Sequence, residues 1–255
     1  MKKHILLVLC ILCSTLCAEK IPLELFFNNP QKTAPQISPD GSKLSYLAPD
    51  SNNVLNVFLE NGNQITQDTK RGIRSYVWHY DNEQILYIQD KDGDENWHLF
   101  QTNIKTGKTT DLTPFDGVRA EILAYEPEFP NEMLITLNKE NRSLFDVYHL
   151  NLDTAELLLD TQNPGDVVGW TCDPHLTVRA SLRYDKEANA LISIRENKNS
   201  PWKQFLKYPL TGDTASIVSF SKDGRSLLMI TNLESNTTQL VEVDLTTNTQ
   251  SVIAQ

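Results

Sequence analysis

The chain has 255 residues, 40% of them hydrophobic, which is enough to bury the core of one large domain or two ordinary ones and argues against a disordered chain. Acidic residues outnumber basic ones by 33 to 23, for a net charge of −10. No stretch gathers Lys and Arg with interleaved aromatic residues, so the sequence predicts no nucleic-acid partner.

The first 18 residues have the pattern of an export signal. Two lysines form a basic start, residues 5–16 are apolar, and small residues follow near Cys17. The apolar run is too short to span a bilayer comfortably. We therefore predict a signal peptide at 1–18 and an exported protein, periplasmic or secreted, without membrane association after cleavage. The alternatives are a buried amino-terminal helix and a lipid-attached protein, although Leu16 is larger than the residue preceding a lipidated cysteine.

Cleavage of this signal would leave Cys172 as the only cysteine, because Cys10, Cys13 and Cys17 lie within it. No intramolecular disulfide is then possible. An exported domain without disulfides depends on its hydrophobic core, which suits a large domain.

From about Thr33 onward the sequence consists of short alternating strands separated by turn residues, and units of four strands recur. The residue that closes the first strand of each unit recurs every 41 to 50 residues, at Ile37, Trp78, Tyr125, Trp170 and Phe220. This spacing predicts an all-β fold, a β-propeller of four-stranded antiparallel blades over residues 19–255. The five predicted blades are 33–66, 73–113, 121–160, 167–210 and 215–253. They could form part of a larger ring or close as a five-bladed ring, and a β-sandwich is the alternative fold.

The repeat is clearest at the turn that precedes the last strand of each unit. Asn103, Asn151 and Asp244 share one position in three units and are expected to cap the turn. Four residues later, Gly107 and Asn248 are expected in the left-handed conformation. The third unit has Ala155 at that place, so we expect a different turn there.

The stretch Ile-Ser-Pro-Asp-Gly at 37–41 has a second copy at Phe220–Gly224, reading Phe-Ser-Lys-Asp-Gly. In both, the Asp is expected to cap a turn and the Gly to supply a positive φ. We therefore interpret Ser38 and Ser42 as turn residues and not as nucleophiles.

No serine nucleophile is apparent, because the sequence lacks the G-x-S-x-G elbow of α/β-hydrolases. The four histidines beyond the signal have no motif context, and a lone histidine in a strand is seldom a catalytic base. They are His79, His98, His149 and His175. The sequence thus predicts no catalytic residue, no cofactor-binding residue and no cofactor.

Two groups of carboxylates have patterns that could indicate a site. Residues 90–96, Asp-Lys-Asp-Gly-Asp-Glu-Asn, resemble a calcium loop, but the glycine is at the fourth position and Gln101 replaces the bidentate Glu. We predict an acidic hairpin tip between strands 84–89 and 97–102, and no metal site. Asp146 and Asp166 could serve a five-bladed glycosidase, although the sequence cannot set the separation of two carboxylates that glycoside hydrolysis requires.

Four segments, in this order, resemble the amino-terminal propeller of acylaminoacyl-peptidase-like and dipeptidyl-aminopeptidase-like members of the prolyl oligopeptidase family of serine peptidases. After the segment at 21–30 and the Ile-Ser-Pro-Asp-Gly turn come DKDGDENWHLF at 90–100, DLTPFDGVRA at 111–120 and FDVYHLNLDT at 145–154. The resemblance implies a seven- or eight-bladed propeller that caps an α/β-hydrolase domain and restricts access to short peptides. It also implies that the catalytic triad belongs to the hydrolase domain, so we expect this chain to be a propeller truncated before that domain.

The residues and the resemblance together leave three possible functions. The first is a non-catalytic, substrate-gating propeller whose partner is an α/β-hydrolase polypeptide and whose ligands are short peptides. The second is a stand-alone, TolB-like propeller that binds other proteins in the periplasm. The third is a five-bladed enzyme acting on glycosides.

Overall fold

The computed structural model describes residues 21–212 and 214–255, so the signal peptide expected at 1–18 lies outside the described residues. The described part contains nineteen β-strands and one short helix, α1, at Glu24–Phe27. No helix among these residues is long and apolar enough to cross a membrane.

The strands form five antiparallel sheets, in each of which strands consecutive in sequence are paired. The first sheet contains β1 Thr33–Ile37, β2 Leu44–Pro49 and β3 Leu55–Leu59. The second contains β4 Tyr76–Trp78, β5 Gln84–Gln89, β6 His98–Asn103 and β7 Thr109–Asp111. The third contains β8 Ala120–Ala124, β9 Glu132–Leu137, β10 Asp146–Asn151 and β11 Leu157–Thr161. The fourth contains β12 Val167–Cys172, β13 Val178–Tyr184, β14 Asn189–Ile194 and β15 Lys203–Pro209, and the fifth β16 Ala215–Phe220, β17 Ser226–Thr231, β18 Gln239–Asp244 and β19 Gln250–Ala254.

The first sheet has three strands, where the sequence predicted four. The chain after β3 runs beside that strand but pairs with it only at a bridge between Phe58 and Gln64. The amide of Ile65 donates to the carbonyl of Val57, and the amide of Val57 donates to the Thr66 hydroxyl at 2.9 Å. A side-chain oxygen therefore replaces the carbonyl that would have continued the ladder, and the fourth strand does not form.

The sheets follow one another as the blades of a propeller. In each sheet the first strand lies at one edge, and β12 contacts both β8 and β16, the first strands of the neighbouring sheets. Strands that meet in this way at the inner edges of successive four-stranded sheets are typical of a β-propeller. The predicted fold class is thus confirmed, with about five blades.

Hydrophobic seams hold each sheet to the next. We define four seams, one at each boundary between consecutive sheets, and each is a cluster of buried side chains contributed by both sheets. In chain order, the seams contain for example Val57 and Ile85, Leu99 and Ile135, Leu134 and Val178, and Ile192 and Leu227, one residue from each of the two sheets. Burying one side chain of this size contributes about 1.5–3 kcal/mol, so these seams are the main source of stability.

The first seam also contains a small buried hydrogen-bond network centred on Ser45. The Ser45 hydroxyl is inaccessible to solvent and lies 2.8 Å from the Tyr76 hydroxyl. It also accepts a hydrogen bond from the indole nitrogen of Trp78 at 2.8 Å. The two aromatic side chains of the second sheet are thus anchored on one serine of the first sheet.

Each of the two end sheets packs against another sheet on one face only, and its other face is partly exposed. In the first sheet, Ile37 is 67% exposed on the face opposite to the seam, and in the fifth sheet Ile230 is 41% exposed on the corresponding face. Among the described residues no core cluster joins the first sheet to the fifth. The described part therefore lacks the hydrophobic seam that would close a five-bladed ring.

The first turn of a unit, between its first and second strands, has the geometry that the repeated Ser-x-Asp-Gly predicted. Asp40 accepts hydrogen bonds from the Ser38 hydroxyl at 2.6 Å and the Ser42 amide at 2.9 Å, and Gly41 has a φ of 73°. The second copy repeats this geometry, with a φ of 69° at Gly224. Ser38 and Ser42 are turn residues, as predicted.

The third turn, between the third and fourth strands, corrects one expectation. Asn103, Asn151 and Asp244 each accept two backbone amides and one threonine hydroxyl with the same oxygen. Ala155 has a φ of 57°, close to the 69° of Gly107. The expectation of a different turn at Ala155 was wrong, because the hydrogen bonds to Asn151 outweigh the left-handed strain on an alanine, about 1–2 kcal/mol.

The shared geometry of the third turns gives opposite effects for opposite substitutions. Ala155→Gly should raise the free energy of unfolding by about 0.5–1 kcal/mol, because relief of strain exceeds the added backbone entropy of the unfolded chain. Gly107→Ala should lower it by about 1 kcal/mol through φ alone, because a Cβ there meets no atom within 4 Å. Urea denaturation measures the free energy of unfolding of both variants. A loss of stability in Ala155→Gly would contradict the assigned strain at this position.

The turn at Asp40 predicts that the stability of the protein depends on pH. The Ser38 hydroxyl, followed by the amide and hydroxyl of Ser42, lowers the pKa of Asp40 from 3.8 to about 2. A carboxyl with a lowered folded-state pKa adds stability above its unfolded pKa, and that stability is lost as the pH falls through the folded value. Asp40→Asn should therefore be less stable than the parent at about pH 5, with a difference that shrinks towards about pH 2.

The control for this measurement is Asp116→Asn, because no hydrogen bond to the carboxylate of this exposed residue is present in the described structure. Denaturant unfolding at the two pH values should give the same stability for this variant and the parent. A difference between Asp40→Asn and the parent that did not change with pH would contradict the assigned role of the Asp40 charge.

Candidate functional site

The structure keeps the four histidines on separate elements. The Nδ1 atom of buried His79 accepts the Asp81 amide in a first turn at 3.0 Å, and Nδ1 of His98 lies 2.7 Å from a carboxylate oxygen of Asp111. His149 faces Glu132 across the third sheet at 3.7 Å. His175 is exposed in the first turn of the fourth unit. In the described chain, no hydroxyl or thiol side chain hydrogen-bonds to any of these rings, and the absence of catalytic residues stays a prediction.

The acidic stretch at 90–96 lies at the hairpin tip between β5 and β6, where the sequence predicted it. Its carboxylates contact the hairpin itself and nearby cations: Asp90 faces Arg71 at 3.4 Å, and Asp92 faces Lys70 at 2.7 Å. Asp94 accepts the amide of Asn96 at 3.1 Å. Over residues 21–212 and 214–255, no group of three or more His, Cys, Asp or Glu side chains is arranged to hold a metal ion.

The two carboxylates considered for glycoside chemistry have different surroundings. Asp146 opens β10, is buried, and accepts the amide of Asn163 at 2.6 Å. Asp166 is exposed and lies 3.3 Å from the guanidinium of Arg183. Asp146 therefore stabilises a loop through a buried hydrogen bond, whereas Asp166 forms a surface ion pair.

Cys172, at the end of β12, is a free and partly buried thiol. Burial, with smaller contributions from neighbouring carboxylates, raises its pKa to about 12. The thiol is therefore protonated near neutral pH and is a weak nucleophile.

The inner edge of the sheets exposes apolar side chains. Ile122, Val168 and Val218 belong to β8, β12 and β16, the first strands of successive sheets, and each is more than a third exposed. Each lies at or beside a shift in strand register. Since β12 contacts both β8 and β16, these exposed side chains lie along the inner edge of successive sheets, the edge nearest to the axis of a propeller.

A cleft with a volume of about 460 Å³ opens between the fourth and fifth sheets, at the end of the propeller where the first and third turns lie. We call it the basic cleft and define it by its four cationic residues, Arg179, Arg195, Lys203 and Arg225. Glu196 is the single acidic residue of its wall, and Ile194, Pro201 and Leu245 supply apolar surface.

Arg195 is the most buried of these cations, at 8% exposure. Its guanidinium donates to the carbonyls of Val178 and Lys198 and to the hydroxyl of Thr161, at 2.7, 3.1 and 2.8 Å. It also lies over the ring of Trp202, 4.6 Å from the ring centre. These acceptors are neutral. The nearby carboxylate of Asp160 accepts from the Thr161 hydroxyl at 2.7 Å and is paired with Lys198 at 2.9 Å.

Arg179 joins the two sheets that form the cleft. Its Nη1 atom donates to the Gly224 carbonyl in the fifth sheet at 2.7 Å, and its Nε atom donates to the Arg195 carbonyl at 3.2 Å. A Cβ at Gly224 would lie 2.7 Å from Nη1, so the glycine leaves the space that the guanidinium occupies. The only carboxylate paired with Arg179 in the described part is that of Asp173, at 3.5 Å.

Lys203 and Arg225 lie at the mouth of the cleft and are exposed. No ion pair of Lys203 is found within the described ranges, and Arg225 lies 3.9 Å from Asp223. The cleft thus combines two fixed guanidiniums, two exposed cations and an apolar wall, a combination that can bind an oxyanion. Sequence reasoning missed this site because its cations come from separate strands and turns, so no local stretch is basic.

The chain is similar to known proteins in both sequence and fold. It is 32% identical over 244 residues to dipeptidyl aminopeptidase BIII of Pseudoxanthomonas mexicana, an alignment covering 93% of this chain and 35% of the relative. The chain thus spans about a third of the length of this curated relative. No family model matches the chain.

Solved structures show the same fold at low sequence identity. A prolyl endopeptidase structure superimposes with a TM-score of 0.63 at 10% identity, over 88% of this chain and 35% of that protein. TolB from Acinetobacter baumannii gives a TM-score of 0.55 at 16% identity, over 88% of this chain and 54% of that protein. The chain is therefore a homologue of the dipeptidyl aminopeptidases of the prolyl oligopeptidase family, and its sheets have the fold of that family's propeller domain.

Proposed function

We propose that this chain is the substrate-gating propeller of a serine peptidase of the prolyl oligopeptidase family, and that it acts with an α/β-hydrolase domain on short peptides. The observation that carries the proposal is the 32% identity to a dipeptidyl aminopeptidase over 93% of the chain. The hydrolase domain would supply the nucleophile, base and acid, and the propeller would select what reaches them.

The geometry of the inner strands supports a gating role. The exposed apolar side chains of Ile122, Val168 and Val218 lie on the inner strands, where they would contact an extended peptide passing along the propeller axis. Selection of this kind works by exclusion, because rejecting a large substrate requires only a narrow, rigid opening. Sheets joined rigidly by hydrophobic seams would form one side of such an opening.

Export forms part of the same proposal. Its support is the basic start, the apolar run at 5–16 and the small residues near Cys17, together with a single cysteine beyond that stretch. A peptidase outside the cytoplasm would meet short peptides without access to nascent cytoplasmic chains.

A chimera tests the gating role. Residues of this chain would replace the matching segment of dipeptidyl aminopeptidase BIII, and hydrolysis of a dipeptidyl chromogenic substrate would be measured. We expect kcat/KM within about tenfold of the parent enzyme, which corresponds to a loss of at most about 1.4 kcal/mol of transition-state stabilisation. A folded protein substrate should remain uncleaved. The chain on its own should show no hydrolysis.

The matched control replaces the same segment by the propeller of TolB, which shares the fold without close sequence similarity. That chimera should be inactive even when circular dichroism shows it to be folded. A folded but inactive chimera containing this chain would overturn the proposal, and so would hydrolysis by the chain alone. Equal activity of the two chimeras would show that any propeller suffices and would contradict a specific gating role.

A further inference from the structure

We propose that the basic cleft between the fourth and fifth sheets binds the carboxylate group of a short peptide. The anion site follows from the cleft itself, whereas the peptide as the source of the carboxylate rests on the proposed function. The cleft is distinct from the inner edge of the sheets, because it opens at their turn end, between Arg195 and Arg225.

The charge of the cleft stands out in this acidic protein, whose net charge is −10. Four cations line the cleft against one carboxylate, that of Glu196. The nearest carboxylates of Arg179 and Arg225 lie 3.5 and 3.9 Å away, beyond the length of a strong charge-assisted hydrogen bond. Asp160, the acidic neighbour of Arg195, is itself paired with Lys198 at 2.9 Å, and in the described chain neither Arg195 nor Lys203 has a carboxylate within 4.0 Å. The positive charge is therefore incompletely neutralised, and an anion that enters gains attraction from several cations at once.

The floor of the cleft is preorganised. The guanidinium of Arg195 is fixed by three hydrogen bonds and by the Trp202 ring, and Arg179 is fixed by the carbonyls of Gly224 and Arg195. An anion that binds there does not have to order these two side chains, so less conformational entropy is lost on binding. Only Lys203 and Arg225 at the mouth must become ordered.

The size and walls of the cleft favour a peptide over a bare inorganic ion. A volume of about 460 Å³ far exceeds what one phosphate occupies. Ile194, Pro201 and Leu245 offer apolar contacts that an inorganic ion cannot use, whereas an apolar side chain near a peptide carboxyl terminus can. Glu196 at the rim would disfavour ligands that carry several negative charges.

Calorimetry on the purified chain tests this assignment with the tetrapeptide Leu-Ala-Ala-Leu, as the free acid and as the carboxyl-terminal amide. We expect the free acid to bind more tightly, and its affinity to fall with added salt. Lys203→Gln and Arg225→Gln should each weaken binding of the free acid by about two- to fivefold, the range for exposed ion pairs. Neither substitution should alter the folded structure, because both side chains are exposed.

The matched control is Lys186→Gln, which removes the same charge from the same sheet at its opposite end, in the turn between β13 and β14. It should leave the affinity unchanged. Equal affinity for the free acid and the amide would overturn the carboxylate site, and so would an equal effect of Lys186→Gln. Binding of inorganic phosphate but not of the free-acid peptide would overturn the peptide as ligand.

These binding outcomes do not depend on hydrolysis. An inactive chimera would contradict the gating role while leaving the calorimetry intact. An active chimera combined with no difference between acid and amide would contradict only the basic cleft as a carboxylate site.

Discussion

The packing of each sheet against the next is the interaction on which the rest of this structure depends. Strands of the inner sheets are buried on both faces, and β9 shows this clearly, since Met133 to Leu137 are all buried. A sheet of this kind has no stable existence alone, because both of its faces need an apolar neighbour. The seams therefore set the stability of the chain and the position of every turn and cleft at its surface.

The turns could be predicted from the sequence because their geometry is local. An Asp or Asn that accepts backbone amides, followed by a residue with positive φ, is determined within a few residues, as at Asp40 and Gly41. The prediction failed at Ala155, where the side chain of Asn151 holds an alanine in a conformation that residue preference opposes. The missing fourth strand of the first sheet was a second failure, since the hydroxyl of Thr66 takes over a ladder bond that strand propensity does not reveal.

The basic cleft could not be predicted, because its geometry comes from the contact of two sheets. Sequence reasoning correctly found no local stretch of positive charge, yet folding brings Arg179 of β13 to the turn at Gly224 in the next unit. Similar links between first turns recur along the propeller: the amide of Asp40 donates to Asn82, and that of Tyr80 donates to the hydroxyl of Tyr125. Of these three links, the one at Gly224 involves a guanidinium, so a connection used elsewhere for structure also creates a charged site.

Native-state hydrogen exchange tests most directly the claim that the seams between sheets hold the fold together. The third and fourth sheets have seams on both faces, whereas the first and fifth have one each. Amides of β9 and β13 should therefore exchange at least about tenfold more slowly than those of β2 and β17, which occupy the same place in the end sheets. Equal protection of the four strands would contradict the claim.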